Sequence, residues 1–281
     1  MKIGIMVDSL KLGVWEGIRK ASEMGVQGVQ IYAVSGEMEP SCLDTQKRKE
    51  LSKLIRQSNL EISALCGDLG GYGFTRKQDN PVKIEKSMQI MQLASDLGTR
   101  VVTTHIGVIP EDDTCDQYKV MQDACGQLGE YASRLGGHFA IETGPEKAAT
   151  LKKFLDSLHT RGVCVNFDPA NFVMVTDQDP VEAVFLLKDY IVHTHAKDGV
   201  MVKKTDPKII YRFFAEGGIE DMRLEDYFLE KPLGLGNVDF KSYLNALNEI
   251  GYNGFLTIER EVGNNPEKDI SEAIQFLKKY L

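Results

Sequence analysis

Short β-branched runs alternate with longer amphipathic stretches from one end of the chain to the other, and this rhythm limits the fold more than any other feature. Strand-like runs cover Lys2–Val7, Gly28–Tyr32, Glu61–Cys66, Arg100–His105, His138–Thr143, Val163–Asp168, Ile191–His195 and Gly254–Glu259. Helical patterns lie near 14–24, 44–58, 80–98, 114–135, 145–159, 178–188, 239–250 and 267–280. Gly98 and the pair Gly136-Gly137 supply helix stop signals. Parallel strands need helical crossovers, so the alternation predicts an α/β fold. Eight units of roughly 35 residues predict a single (β/α)₈ TIM barrel spanning residues 1–281. An open doubly wound sheet is the competing architecture. Its marks are missing: no Gly-x-Gly-x-x-Gly follows the first strand, and no Gly-Lys-Ser/Thr phosphate loop occurs.

One interval breaks the rhythm. After the seventh strand, the connection from Lys197 to Asn237 is unusually long and carries Tyr211, Phe213, Phe214, Tyr227 and Phe228. Such a segment is expected to be an ordered lid on the C-terminal face of the barrel, above the reaction site.

Barrel strands are buried on both sides, so an ionisable residue at the end of one needs a reason. Glu142, Asp168, His195 and Glu259 close the last four strands. Three carboxylates converging in a low-dielectric mouth repel one another unless a cation lies between them. No arginine or lysine precedes them in the strands to neutralise them. One divalent metal bound by oxygen and one nitrogen answers the problem, with manganese first and cobalt, zinc or magnesium as alternatives. The competing reading is four unrelated polar ends, each solvated at the rim. Period-two alternation places His193 on the face of His195, Asn166 with Asp168, and Glu261 with Glu259. His193, one layer down, reads as a hydrogen-bonded orienting residue. His105 and Cys66 end the fourth and third strands, and Asn171 follows Asp168 by one turn, so all three are candidates to line the pocket. Cys66 has no base beside it in sequence and is not expected to act as a nucleophile. His138, His159 and Trp15 read as structural.

These residues resemble a known family. The segments Ile141-Glu142-Thr143, Asn166-Phe167-Asp168-Pro169-Ala170-Asn171, His193-Thr194-His195-Ala196-Lys197-Asp198, Leu233-Gly234-Leu235-Gly236-Asn237 and Gly251-Tyr252-Asn253-Gly254, the last running on to Glu259, are similar to the xylose-isomerase-like barrels. Within that superfamily they resemble the sugar phosphate isomerase/epimerase group, which is related to ketose 3-epimerases and inosose dehydratases. The resemblance implies one divalent metal held by Glu142, Asp168, His195 and Glu259, with Glu142 and Glu259 also serving as acid and base. Cys66, His105, Asn171 and Lys197 are then the substrate-binding candidates. The implied activity is isomerisation or epimerisation of a ketose, an aldose or their phosphates through an enediolate. Dehydration of a cyclitol or sugar acid shares its first step, and a non-catalytic sugar-binding barrel is a further alternative.

The superfamily also holds abasic-site endonucleases with three metals, but this chain lacks their histidines. Cys66 and Asn171 stand at two such positions, and Phe228-Leu229-Glu230 replaces an Asp-x-His pair. The charge balance agrees. With 33 Lys+Arg against 41 Asp+Glu, the net charge of -8 disfavours nucleic acid and anionic membranes. No apolar run approaches a membrane span, and Met1–Asp8 turns polar too soon for a signal peptide. Five cysteines without metal-binding spacing suit a reducing compartment. The expectation is a cytoplasmic protein with a small-molecule carbohydrate partner, and a homo-oligomer stays open.

Overall fold

A computed structural model describes residues 1–281. Eight parallel strands close on themselves: β1 (Lys2–Met6), β2 (Gly28–Tyr32), β3 (Glu61–Cys66), β4 (Val101–Thr104), β5 (His138–Glu142), β6 (Val163–Phe167), β7 (Ile191–Ala196) and β10 (Phe255–Ile258). The expected (β/α)₈ barrel is therefore the fold, with β1 sealing against β10 through the register Ile3↔Leu256 and Ile5↔Ile258. Several strands end earlier than expected: Val7, His105, Thr143, Asp168 and Glu259 lie one residue beyond. Of these, His105, Asp168 and Glu259 turn to the barrel mouth, whereas Val7 packs in the apolar core and Thr143 bonds the Asp168 backbone.

The barrel is wrapped by α1 (Val14–Glu23), α2 (Thr45–Gln57), α3 (Asn80–Leu97), α4 (Asp116–Arg134), α5 (Ala148–Asp156), α7 (Pro180–Leu187), α9 (Phe240–Glu249) and α10 (Pro266–Leu277). The pattern near 145–159 begins helically only at Ala148, because the turn through Pro145 precedes it. Helix starts follow one local rule. Asp179 and Asn265, each before a proline, accept a backbone N–H of the first turn, and Pro180 and Pro266 have no N–H that would be left unpaired. Asp168-Pro169 opens the single turn α6 (Pro169–Asn171) in the same way. Leu51, Leu93, Met121, Phe154 and Ile274 are buried between helices and strands. At roughly 1.5–3 kcal/mol per fully buried apolar side chain, this layer is the main source of stability. None of the helices is long and apolar enough to cross a membrane.

The long connection after β7 is ordered. It forms an antiparallel ribbon, β8 (Asp198–Met201) with β9 (Phe228–Lys231), and carries helix α8 (Pro207–Glu216) between them. Its root is tied by one carboxylate: Asp198 accepts backbone N–H groups from Gly199, Gly234, Gly236 and Val238 at 2.8–3.1 Å. A Cβ on Gly236 would sit 2.1 Å from Asp198 Oδ1, so only glycine lets the backbone come this close. Arg260 adds a second tie, pairing with Glu230 of β9 and with Asp269 of α10.

Candidate metal centre

Glu142, Asp168, His195 and Glu259 come together at the C-terminal mouth, with one ligand-type atom from each lying within 4.8 Å of all the others. All four are buried. His195 Nδ1 stands at the centre, 3.3 Å from Asp168 Oδ2, 3.3 Å from Glu259 Oε2 and 3.6 Å from Glu142 Oε1. The local fold aims each group. Asp168 caps α6 by accepting the N–H groups of Ala170 (2.8 Å) and Asn171 (3.2 Å) through Oδ1, which leaves Oδ2 facing His195. The other ring nitrogen of His195, Nε2, lies 3.2 Å from Gln30 Oε1. A proton on Nε2, donated to Gln30, presents the Nδ1 lone pair to the three carboxylates.

Beneath the cluster lies a polar layer inside the barrel. His193 Nδ1 donates to Asn166 Oδ1 (2.8 Å), and Asn166 Nδ2 then donates to Glu142 Oε2 (3.2 Å). His193 Nε2 meets Thr257 Oγ1 at 3.1 Å, and Gln30 Nε2 donates to Thr103 Oγ1 at 2.9 Å. Burial, and then the neighbouring His195, drive the His193 pKa well below its ordinary value, consistent with a neutral orienting ring. Burial opposes a charge on His195 too, but there Glu259 and Glu142 outweigh it and hold the pKa well above the usual value. The cluster thus favours positive charge at its centre. Three carboxylate oxygens and one imidazole nitrogen, buried and pre-oriented, fit a divalent cation.

One expectation needs correction. A basic group does reach these carboxylates: Lys197, one residue past β7, lies buried with Nζ 3.0 Å from Glu259 Oε2 and 2.6 Å from Glu261 Oε2. It follows the strand instead of preceding the carboxylates within it, so strand periodicity could not place it. Burial pushes the Glu259 carboxyl up, yet Lys197 and His195 outweigh this and hold it well below the usual carboxylate range. Glu142 and Asp168 have no such ammonium, and His195 remains the shared group between them.

A cavity of about 200 Å³ opens above the cluster, and Cys66, His105, Glu142, Asn171, Lys197 and Glu259 all line it. Asn171 Nδ2 donates to the Thr143 carbonyl at 2.9 Å and lies 3.4 Å from Glu142 Oε1. Burial and the Asp68 charge push the Cys66 thiol far up, which agrees with its inert reading. His105 Nδ1 lies 3.0 Å from Asp68 Oδ2, and its Nε2 is 3.7 Å from Glu142 Oε1. Burial lowers the His105 pKa, but Glu142 and Asp68 outweigh it and push it up to about 10. Asp68, Tyr32 and Gln30 went unread in the sequence, whereas Tyr211 and Phe214 were read as part of the aromatic connection expected over the site. Asp68 and Tyr32 line the cavity from a loop and a strand end, and Tyr211 and Phe214 line it from α8. An aspartate two residues past Cys66 and aromatic residues in the long connection were the available signals.

Residues 18–280 match the family model for the Xylose isomerase-like TIM barrel. The chain belongs to that family. Among curated proteins, an uncharacterised protein of Methanocaldococcus jannaschii is 26% identical over 205 residues, covering 67% of this chain and 58% of that one. An inosose dehydratase of Lacticaseibacillus casei is 24% identical over 172 residues, covering 60% of this chain and 55% of the enzyme. This xylose isomerase-like chain therefore spans little more than half the length of these relatives. Among solved structures, a xylose isomerase domain protein from Planctomyces limnophilus superposes with a TM-score of 0.81 at 24% identity, covering 99% of this chain and 96% of the other. A D-tagatose 3-epimerase-like protein gives 0.74 at 19% identity, covering 100% and 97%. At these identities the superpositions establish the shared fold.

Proposed function

We propose that this barrel is a divalent-metal-dependent sugar isomerase or epimerase. The observation that carries the reading is the pair of buried glutamates, Glu142 and Glu259, both close to His195 Nδ1 and both lining one cavity. A divalent cation, manganese being first choice, would be held by Glu142, Asp168, His195 and Glu259 and would supply Lewis-acid polarisation of a carbonyl and its neighbouring hydroxyl. One glutamate takes the proton from the carbon bearing that hydroxyl, giving an enediolate. The second glutamate returns a proton to the opposite face to complete an epimerisation, or to the adjacent carbon to complete an aldose–ketose isomerisation. Lys197 holds Glu259 ionised, and Asn171 fixes the free edge of Glu142. Cys66, His105, Asn171 and Lys197 contact the sugar from the walls.

Dehydration is the second reading. It is favoured by the likeness to an inosose dehydratase and by His105, whose ring is held by Asp68 beside Glu142 and can pass a proton to a departing hydroxyl. The test is incubation of Mn²⁺-loaded protein with ketoses, aldoses and inososes in D₂O, followed by NMR. Deuterium next to the carbonyl with the carbon skeleton intact is the expected result. Loss of a hydroxyl moves the assignment to a dehydratase, and absence of both deuterium and product from every compound defeats the reading.

A further inference from the structure

The cavity is small for a ligand site, about 200 Å³, where roughly 300–1,000 Å³ is usual. Four carboxylates, Asp68, Glu142, Glu259 and Glu261, stand on its walls, and Asp168 belongs to the cluster below. The only basic side chains lining it are Lys197 and His105, and both are engaged. The Lys197 ammonium bridges Glu259 and Glu261, and His105 lies between Asp68 and Glu142. Even with a divalent ion on the cluster and His105 protonated, five carboxylates leave the site with a net negative charge.

Basic groups near the mouth are committed elsewhere as well. Lys83 Nζ donates to the carbonyls of Gly70 (2.9 Å) and Gly73 (2.7 Å), Arg76 lies 3.8 Å over the Tyr72 ring, and Arg212 Nε donates to Glu216 at 3.1 Å. A phosphate or carboxylate entering this cavity meets like charge, which weakens its binding. Hydroxyl groups meet the opposite situation. Each can donate to a carboxylate, a charge-assisted bond about twice as strong as a neutral one. The rings of Tyr211 and Phe214 offer apolar surface to the C–H face of a sugar.

We infer that the site takes an uncharged polyol, a free sugar or cyclitol, and that Asp68 and Glu261 set this choice by repelling phosphorylated and carboxylated compounds. The word polyol rests on the sugar-isomerase reading, whereas the charge selection rests on the walls alone. Glu261 is more than half exposed and outside the four-residue cluster, so changing it leaves the fold and the cluster in place.

Calorimetric titration of the Mn²⁺-loaded protein tests this with D-fructose, D-tagatose and an inosose against the terminal phosphate ester of D-fructose and D-gluconate. At least one neutral compound is expected to bind, with both anions at least roughly 10-fold weaker. Glu261→Gln and Asp68→Asn should each narrow that gap by roughly threefold, since each removes one unit charge from a wall. An anion that binds as tightly as the neutral compounds, a gap unchanged in both variants, or no binding by any neutral compound overturns the inference. A neutral compound that binds but never gains deuterium instead overturns the isomerase reading and leaves the charge selection standing.

Discussion

Glu142 and Glu259 close strands of the same barrel and face the same cavity, yet their flanks are built differently. On the Glu259 side the partner is an ammonium: Lys197 is only 6% exposed and clamped at 3.0 Å, with Glu261 behind it. On the Glu142 side the partner is an imidazole. His105 is 31% exposed and stands off at 3.7 Å, with Asp68 behind it. Each flank is a glutamate, a cation and a second carboxylate in sequence. An ammonium clamped between two carboxylates keeps its proton, whereas an imidazolium held between two carboxylates can hand a proton on from either ring nitrogen. The Glu259 flank is thus a fixed ion pair, and the Glu142 flank is able to relay a proton.

The largest effects should come from the glutamates themselves. Glu142→Gln and Glu259→Gln each retain an oxygen donor and most of their metal, while Asp168→Ala loses metal in an elemental assay. Both Gln variants should lose at least about 10²-fold in turnover, the usual worth of a positioned base. For one direction of reaction, only one of them should abolish exchange of the carbon-bound proton. Identical exchange defects would erase the distinction between the flanks. Near-native turnover in either variant would defeat two-glutamate transfer altogether.

Next in size is stability without metal. Lys197→Met strands two carboxylates around a buried position and should cost about 3 kcal/mol in urea unfolding with chelator present. Asp68→Asn acts on a partly exposed pair and should cost about 1 kcal/mol. Equal losses would show that burial does not separate the flanks.

A separate effect, on the pH dependence of stability, comes from Glu146. Glu146 is buried and its Oε2 has no hydrogen-bond partner, and burial raises its pKa from 4.5 to about 8. The folded protein therefore keeps a proton that the unfolded chain releases as the pH rises above the ordinary carboxylate value. This contribution to stability is complete at low pH and is lost as the pH climbs through about 8. Glu146→Gln, neutral throughout, should gain on the native protein between pH 5 and pH 9 by on the order of 4 kcal/mol, about 1.4 kcal/mol per pH unit up to the folded pKa, read from melting at both pH values. A difference that does not change with pH would mean that the carboxylate is charged in the fold.

Much of this was legible in the sequence because barrel strands are short, regular and buried. Alternation located all eight strands, and an ionisable residue ending a buried strand marked Glu142, Asp168, His195 and Glu259. The same alternation placed Asn166 and His193 below the cluster. Lys197 and Asp68 were harder, since both lie past the strand ends, where side-chain direction follows the turn and no periodicity applies. Gln30 was missed because its role depends on closing the barrel, which brings β2 within reach of β7 across the interior. The ribbon of β8 and β9 was read only as part of an ordered lid, without its strands. Its two strands are four residues each and stand far apart in sequence, so neither carries a signal of its own.

The tie at Asp198 separates what the ribbon does from how its sequence is written. Four backbone N–H groups hold the root of the insert, and none of them depends on the side chains between Met201 and Phe228. Closing a loop costs only slightly more with each added residue. The insert can therefore lengthen, shorten or be replaced while His195 and Lys197, just before the tie, keep their positions. Tyr211 and Phe214 reach the cavity from within that span. Two barrels with the same buried cluster can thus diverge in what they admit through this one cassette, exchanging the wall above the cavity without disturbing its floor.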